Sequence, residues 1–184
     1  SVITKGGLED SNTRYAQGGI AAVLGESDSF EKHISDTLIA GDGCCDEDVV
    51  RMVVSEAPER IKDLIELGVV FDKKNDGTYD LAMEGVHSDH RILHFKDKTG
   101  EALQQTLVER VRKDPNIEIY ENHFAIEILT QHHLGEVVKR NYPDIKCYGA
   151  YVADLVNKTV IAFLSKATIV ATGGIGSVYL TTTN

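Results

Sequence analysis

Residues 11–22 read Ser11-Asn12-Thr13-Arg14-Tyr15-Ala16-Gln17-Gly18-Gly19-Ile20-Ala21-Ala22, and this stretch limits the rest of the chain more than any other. Its polar half offers hydroxyl and amide groups to a polar ligand. The Gly18-Gly19 pair lets backbone approach that ligand with no Cβ in the way. The small apolar residues that follow suit a segment packed tightly beneath a large flat group. A second stretch echoes it: Ala167-Thr168-Ile169-Val170-Ala171-Thr172-Gly173-Gly174, an apolar run that empties into Thr-Gly-Gly. Either glycine pair alone is also what an ordinary tight turn needs. Taken together, the two turns are expected to face one cofactor.

The 184 residues suffice for one domain or slightly more with a real core. Apolar residues make up 42% and charged ones 26%, the balance of a soluble globular protein. The formal net charge of -10, with no Lys/Arg block, argues against nucleic acid or a membrane surface as partner. One buried arginine can still outweigh that charge for a small acidic substrate. Three cysteines, with Cys44 and Cys45 adjacent, do not make a secreted disulfide framework and point to a reducing cytoplasm. No signal peptide and no apolar run as long as a membrane span occurs. Residues 1–7 read as a strand end followed by a turn, and Thr181-Thr182-Thr183-Asn184 stops without an element ending. An internal piece of a longer protein is therefore expected.

Asp28 followed by Glu31 gives a capping-box-like helix start, with Phe30, Ile34 and Leu38 on one face up to Gly41 and Gly43. Asp46-Glu47-Asp48 puts acids at the positive end of the next helix, whose stripe is Val50, Val53, Val54 and Ala57. Pro58 should break or kink it, leaving a further helix with Ile61, Leu64 and Ile65 up to Gly68. Residues 69–71 suit a short strand, and Lys73-Lys74-Asn75-Asp76-Gly77 a hairpin tip. Residues 82–100 show no periodicity but crowd three histidines, an arginine and several acids into one segment. This reads as a functional loop or as a solvated one. A metal site is disfavoured, because His87, His90 and His94 have no helical pattern to bring them to one face.

Thr99 can cap a helix over 101–113, ended by Pro115, with Leu103, Thr106, Leu107 and Arg110 or Val111 inward. Residues 117–120 and 124–128 alternate as strands. Residues 131–144 are polar and read as a loop, with His132 and His133 on the surface. Residues 147–154 and 159–163 read as a hairpin around Asn157. The run 167–171 has the character of a buried parallel strand. These elements predict an α/β fold carrying a smaller antiparallel sheet.

Four stretches then stand in order: residues 11–22; Asp36-Thr37-Leu38-Ile39-Ala40-Gly41; Glu84-Gly85-Val86-His87-Ser88 with Arg91-Ile92-Leu93-His94 and Asp97-Lys98-Thr99-Gly100; and Ala171-Thr172-Gly173-Gly174. Together they resemble the L-aspartate oxidase family, a branch of the succinate dehydrogenase/fumarate reductase flavoprotein superfamily. The resemblance covers essentially the whole chain. Ala-Gln-Gly-Gly-Ile marks the superfamily, and the Glu-Gly-x-His-Ser loop points to the oxidase branch. What it implies is an incomplete Rossmann-like FAD-binding domain with parallel strands, helices and an inserted small antiparallel sheet. It further implies oxidation of L-aspartate to iminoaspartate, with electrons passing to oxygen or fumarate. The product would go to quinolinate synthase, at the first stage of de novo NAD synthesis. The cofactor would do the hydride chemistry, and the protein would supply orientation and electrostatics.

Carried over residue by residue, the resemblance puts Lys5 beside the adenosine half of FAD. Asn12, Thr13, Arg14, Tyr15, Ala16, Gln17, Gly18 and Gly19 match the segment around the pyrophosphate and flavin. Phe124 and Ala125 match the pair whose backbone lies near the adenine. Thr172 and Gly173 match the second flavin-side turn. Where the succinate dehydrogenase branch has a histidine carrying FAD covalently, this chain has Asn12, so non-covalent FAD is implied. Glu84 matches the residue that orients substrate, and a carboxylate is the natural partner for the ammonium that distinguishes aspartate from succinate. Val86 departs from the pattern, which has a second glycine there. His87, Arg91 and Thr99 match nearby, in supporting roles.

The Gly-x-Gly-x-x-Gly turn that holds the FAD pyrophosphate is not in the sequence. The family's substrate-binding arginines and histidines are not matched either. The implied domain plan is a partial FAD-binding domain over 1–184, without the first βαβ unit, the capping domain and the C-terminal helical domain, and inactive alone. Two other readings stand beside it. One is a fumarate reductase or succinate dehydrogenase flavoprotein piece. The other is a non-catalytic α/β domain that binds a nucleotide or a partner, with an apolar face prone to self-association.

Overall fold

A 20-residue helix continues past a proline. Helix α2 (Glu47–Glu66) contains Pro58, where the sequence predicts a break or a kink, and the helix is not broken there. A proline inside a helix costs about 3 kcal/mol. Here burial on both sides offsets it: Val54 and Ile61 are buried, and Ala57, Leu64 and Ile65 pack on the core. Two buried aliphatic side chains contribute roughly 1.5–3 kcal/mol each. The Asp46 carboxylate caps the helix, accepting from the Asp48 and Val49 N–H groups at 3.1 and 3.3 Å.

The computed structural model describes residues 1–139, 141, 143–174 and 180–181. The expected loop 131–144 and the C-terminal 181–184 fall partly outside the described residues. The chain divides into two units, residues 13–111 and residues 1–12 with 112–184.

In the first unit, β2 (Ile20–Ala21), β3 (Leu81–Ala82) and β4 (Ile92–Leu93) form an antiparallel sheet ordered β2-β4-β3. Part of the segment expected to be irregular is thus strand, because Ile92 and Leu93 are buried on both faces. The unit's core is Ala22, Ile61, Val69, Phe71 and Leu93. Residues 69–71 are no strand, although Val69 and Phe71 are buried. The hairpin tip stands, closed by a Lys73–Tyr79 bridge.

Helix α1 (Phe30–Ala40) is capped by Ser29, whose hydroxyl accepts from the Lys32 N–H at 3.2 Å. Asp28 is not the cap, because its carboxylate is committed to Arg91. Of the expected apolar face of α1, Ile34 is buried and Leu38 half-buried but Phe30 is exposed, and the helix also buries His33 and Asp36. Helix α3 (Thr99–Lys113) begins two residues early. The Thr99 hydroxyl accepts from the Phe95 N–H at 3.0 Å instead of capping.

In the second unit, β1 (Val2–Ile3) pairs in parallel with β5 (Ile119–Tyr120). Strands β6 (His123–Thr130), β7 (Cys147–Asp154) and β8 (Thr159–Leu164) form an antiparallel sheet in that order. The β7–β8 turn is closed by Asp154, whose carboxylate accepts from the N–H groups of Val156 and Asn157 and the Asn157 amide. A 3-10 turn over Gln131–Leu134 replaces the start of the expected loop, with Gln131 buried. The run 167–171 is not a buried strand: none of it is strand, and Ile169 is 90% exposed. An apolar run becomes a buried parallel strand only beside pairing partners, and no described strand pairs with it.

Candidate functional site

Residues 13–15 form a 3-10 turn closed by the Ala16 N–H donating to the Thr13 carbonyl at 3.1 Å. The Gly100 N–H at the start of α3 donates to the Ala16 carbonyl at 3.0 Å. A Cβ on Gly100 would collide with the Thr13 carbonyl oxygen. The turn therefore sits directly on the helix N-terminus, and only glycine admits that approach. Arg14 leans toward Glu101 at 4.0 Å. Thr13, Tyr15, Ala16, Gln17, Gly18 and Gly19 are exposed.

Gly19 leads into β2, where a Cβ would strike the Leu93 carbonyl oxygen and the Ile92 Cγ2. Gly18 faces open space except for Glu84: a Cβ there would lie 3.8 Å from the Glu84 Oε1. Residue 18 and residue 84, far apart in sequence, are thus neighbours on one surface of this unit.

The loop that carries Glu84 is fastened by a buried charge cluster. Arg91 is fully buried. Its Nε and Nη2 donate to the two Asp28 oxygens at 2.8 Å each, and its Nη1 donates to Asp36 Oδ2 at 2.6 Å. The Ser88 N–H and hydroxyl both donate to the same Asp36 oxygen at 2.8 Å. Burial raises the Asp36 carboxyl, but the hydrogen bonds from the Ser88 N–H, Arg91 and the Ser88 hydroxyl outweigh it and hold it at about 2. Burial first, and then the Arg91 charge, lowers His33, so that ring is neutral at pH 7. The three loop histidines part company. The His87 ring meets His33 edge-on at 6.0 Å, His94 Nδ1 lies 3.2 Å from Asp72, and His90 is exposed. Among the described residues, no three His, Cys, Asp or Glu side chains gather as a metal set.

In the second unit, Gly173 has φ +73°, a conformation that favours glycine, and a Cβ there would lie 3.7 Å from Asn12 Nδ2. The Asn12 amide and the Thr172–Gly173 turn thus meet, and all three residues are exposed. Lys5 is exposed too. Phe124 and Ala125 lie on β6 opposite Ala153 and Val152, just before a register shift. A cavity of about 700 Å³ lined by Leu129, His133, Tyr148, Tyr151, Leu164 and Lys166 contains none of the expected residues.

Local sequence reading missed Asp28, Asp36, Ser88 and Gly100 as parts of this arrangement. The signal the sequence did carry was a histidine and an acid, His33 and Asp36, one helical turn apart beside Ile34 on the expected inner face of α1. In one unit Thr13, Tyr15 and Gln17 offer exposed hydroxyl and amide groups beside Gly18 and Gly19, and in the other Asn12 and Thr172 do so beside Gly173. Each set suits the polar groups of a dinucleotide cofactor.

A family described as an FAD binding domain matches residues 1–184. The chain is 46% identical over 184 residues to a chloroplastic L-aspartate oxidase of Nicotiana tabacum, covering all of this chain and 27% of that protein. It is 44% identical over 185 residues to L-aspartate oxidase 1 of Ralstonia nicotianae, covering 100% and 34%. Among solved structures, it is similar to an E. coli quinol fumarate reductase mutant, with a TM-score of 0.81 and 30% identity over 94% of this chain and 27% of that one. The chain therefore spans roughly a third or less of the length of these relatives. Among the described residues, no helix is long and apolar enough to cross a membrane.

Proposed function

From a chain that belongs to the FAD binding domain family, whose cofactor is FAD, we propose a part of a flavoenzyme that oxidises L-aspartate to iminoaspartate. The acceptor is oxygen or fumarate. The product passes to quinolinate synthase in NAD synthesis, and the enzyme works in the cytoplasm. The chain supplies part of that enzyme's FAD-binding domain. When bound, FAD supplies the hydride acceptor. Residues 12–19 with Thr172 and Gly173 hold it non-covalently, Asn12 standing where a covalent linkage needs histidine. Lys5 and the backbone of Phe124 and Ala125 serve its adenosine half.

The observation that carries the substrate reading is the approach of Glu84 to Gly18. A carboxylate there receives the substrate ammonium. A charge-assisted hydrogen bond to that group contributes roughly 1.5–3 kcal/mol. In the complete flavoenzyme, Glu84→Gln is expected to raise the KM for L-aspartate by roughly 10- to 100-fold while fumarate reduction is spared. Steady-state kinetics with both substrates make the comparison, and equal losses for the two would sink the assignment. The structural likeness to quinol fumarate reductase favours a second reading, a fumarate-reducing flavoprotein, against which Asn12 and Glu84 both count.

A further inference from the structure

Every residue from His87 to Arg91 except His90 is tied to residues 27–36. The His87 ring packs on His33. Both Ser88 donors go to Asp36. Asp89 accepts from the Ser27 hydroxyl at 3.0 Å and from Lys32 Nζ at 3.1 Å. Arg91 bridges Asp28 and Asp36. Glu84 is joined to this anchored end through the His87 N–H, which donates to the Glu84 carbonyl at 2.9 Å.

We propose that Asp36 is a positioning residue for substrate selection: through Ser88 and Arg91 it sets loop 84–91, so that the Glu84 carboxylate stays beside Gly18. This rests on the reading of Glu84 as the ammonium partner. Asp36 is the member of the cluster whose role can be separated from folding. Asp28 alone gives Arg91 a two-pronged counter-ion. Asp36 is the one that also takes both Ser88 donors, and one oxygen accepts all three bonds. An asparagine keeps the volume but turns an NH2 or a weaker acceptor toward those donors, and the loop loosens.

The test pairs amide hydrogen exchange on the 184-residue chain with kinetics of the complete FAD-loaded enzyme, for Asp36→Asn and for the milder Ser88→Ala, which keeps the ion pairs. Exchange at residues 84–90 is expected to speed up at least about tenfold in both variants. The KM for L-aspartate is expected to rise by about tenfold, with kcat and fumarate reduction within about twofold. Two results overturn the proposal: an unchanged aspartate KM despite faster exchange, or an equal fall for both substrates that tracks a lowered Tm. If Glu84→Gln raises the aspartate KM and neither Asp36→Asn nor Ser88→Ala does, Asp36 is not a positioning residue, although the Glu84 reading stands. If Glu84→Gln itself leaves that KM unchanged, both fail.

Discussion

Arg91→Met is expected to destabilise the chain by about 3–5 kcal/mol, enough to leave a marginal domain largely unfolded at room temperature. The loss does not come from the arginine's own attraction, which is weakened by the desolvation of three charges. It comes from the partners left behind. The Asp28 side chain is fully buried and that of Asp36 nearly so, and without the guanidinium each is a carboxylate out of water with neutral donors but no counter-ion. Neutralising those partners should therefore recover stability. The triple variant Asp28→Asn, Asp36→Asn, Arg91→Met is expected to unfold at a higher urea concentration than Arg91→Met alone.

The pH dependence separates the two proteins further. In the native chain the Asp36 carboxyl stands at about 2, below its ordinary 3.8. The folded state then binds the proton more weakly than the unfolded one. The contribution is complete above about pH 4 and is lost as pH falls through about 2. In Arg91→Met the Asp36 carboxyl keeps its Ser88 donors but loses the guanidinium that helps to hold it low, so less stability is lost as pH falls from about 4 toward 2. Urea unfolding at pH 4 and at pH 2 reads both slopes. A variant as stable as the native chain, with an unchanged slope, would mean that the cluster is not buried in solution.

The second large effect runs against intrinsic propensity. Gly100 lies in the first turn of α3, and in a helix alanine is ordinarily favoured over glycine, by up to about 1 kcal/mol in the interior. Gly100→Ala is nevertheless expected to be destabilising by roughly 1–3 kcal/mol. The added Cβ would meet the Thr13 carbonyl oxygen, would come within 2.8 Å of the Ala16 carbonyl oxygen, and cannot swing aside as a long side chain can. Backbone must move, and the backbone in question is the 13–16 turn proposed to wrap FAD. The variant should therefore lose FAD affinity by more than its loss of stability alone would cause. Titration with FAD at a temperature where both proteins are folded isolates that part. If Gly100→Ala raised the melting temperature, helix propensity would have won and the turn would not rest on α3.

What the sequence made legible was local. The three helical patterns, the alternation in β6 and the β7–β8 hairpin around Asn157 all follow from spacing of 2 or 3.6 within one element. Pro58 misled because the price of one proline is judged against packing that the local pattern does not show. Asp28 misled for a related reason. A good capping residue at that spacing is better used by Arg91, 63 residues away, and no window of a dozen residues contains both. The approach of Glu84 to Gly18 is of the same kind. The run at 167–171 has the composition of a buried strand, but burial depends on what lies beside it, and Ile169 is exposed. The glycine stretches stood out by residue type, and Glu84 by the resemblance of its loop to the oxidase branch. Ser88 and Asp36 were passed over because their importance lies in whom they touch.

The central claim is that this chain holds FAD without a covalent bond, and the most direct measurement is the visible spectrum of the purified chain after addition of FAD and desalting, followed by acid precipitation. The predicted result is a flavin band that stays with the folded protein and passes completely into the acid supernatant. A protein that comes off the column colourless after saturation with FAD, or a flavin that stays in the acid pellet, would contradict it.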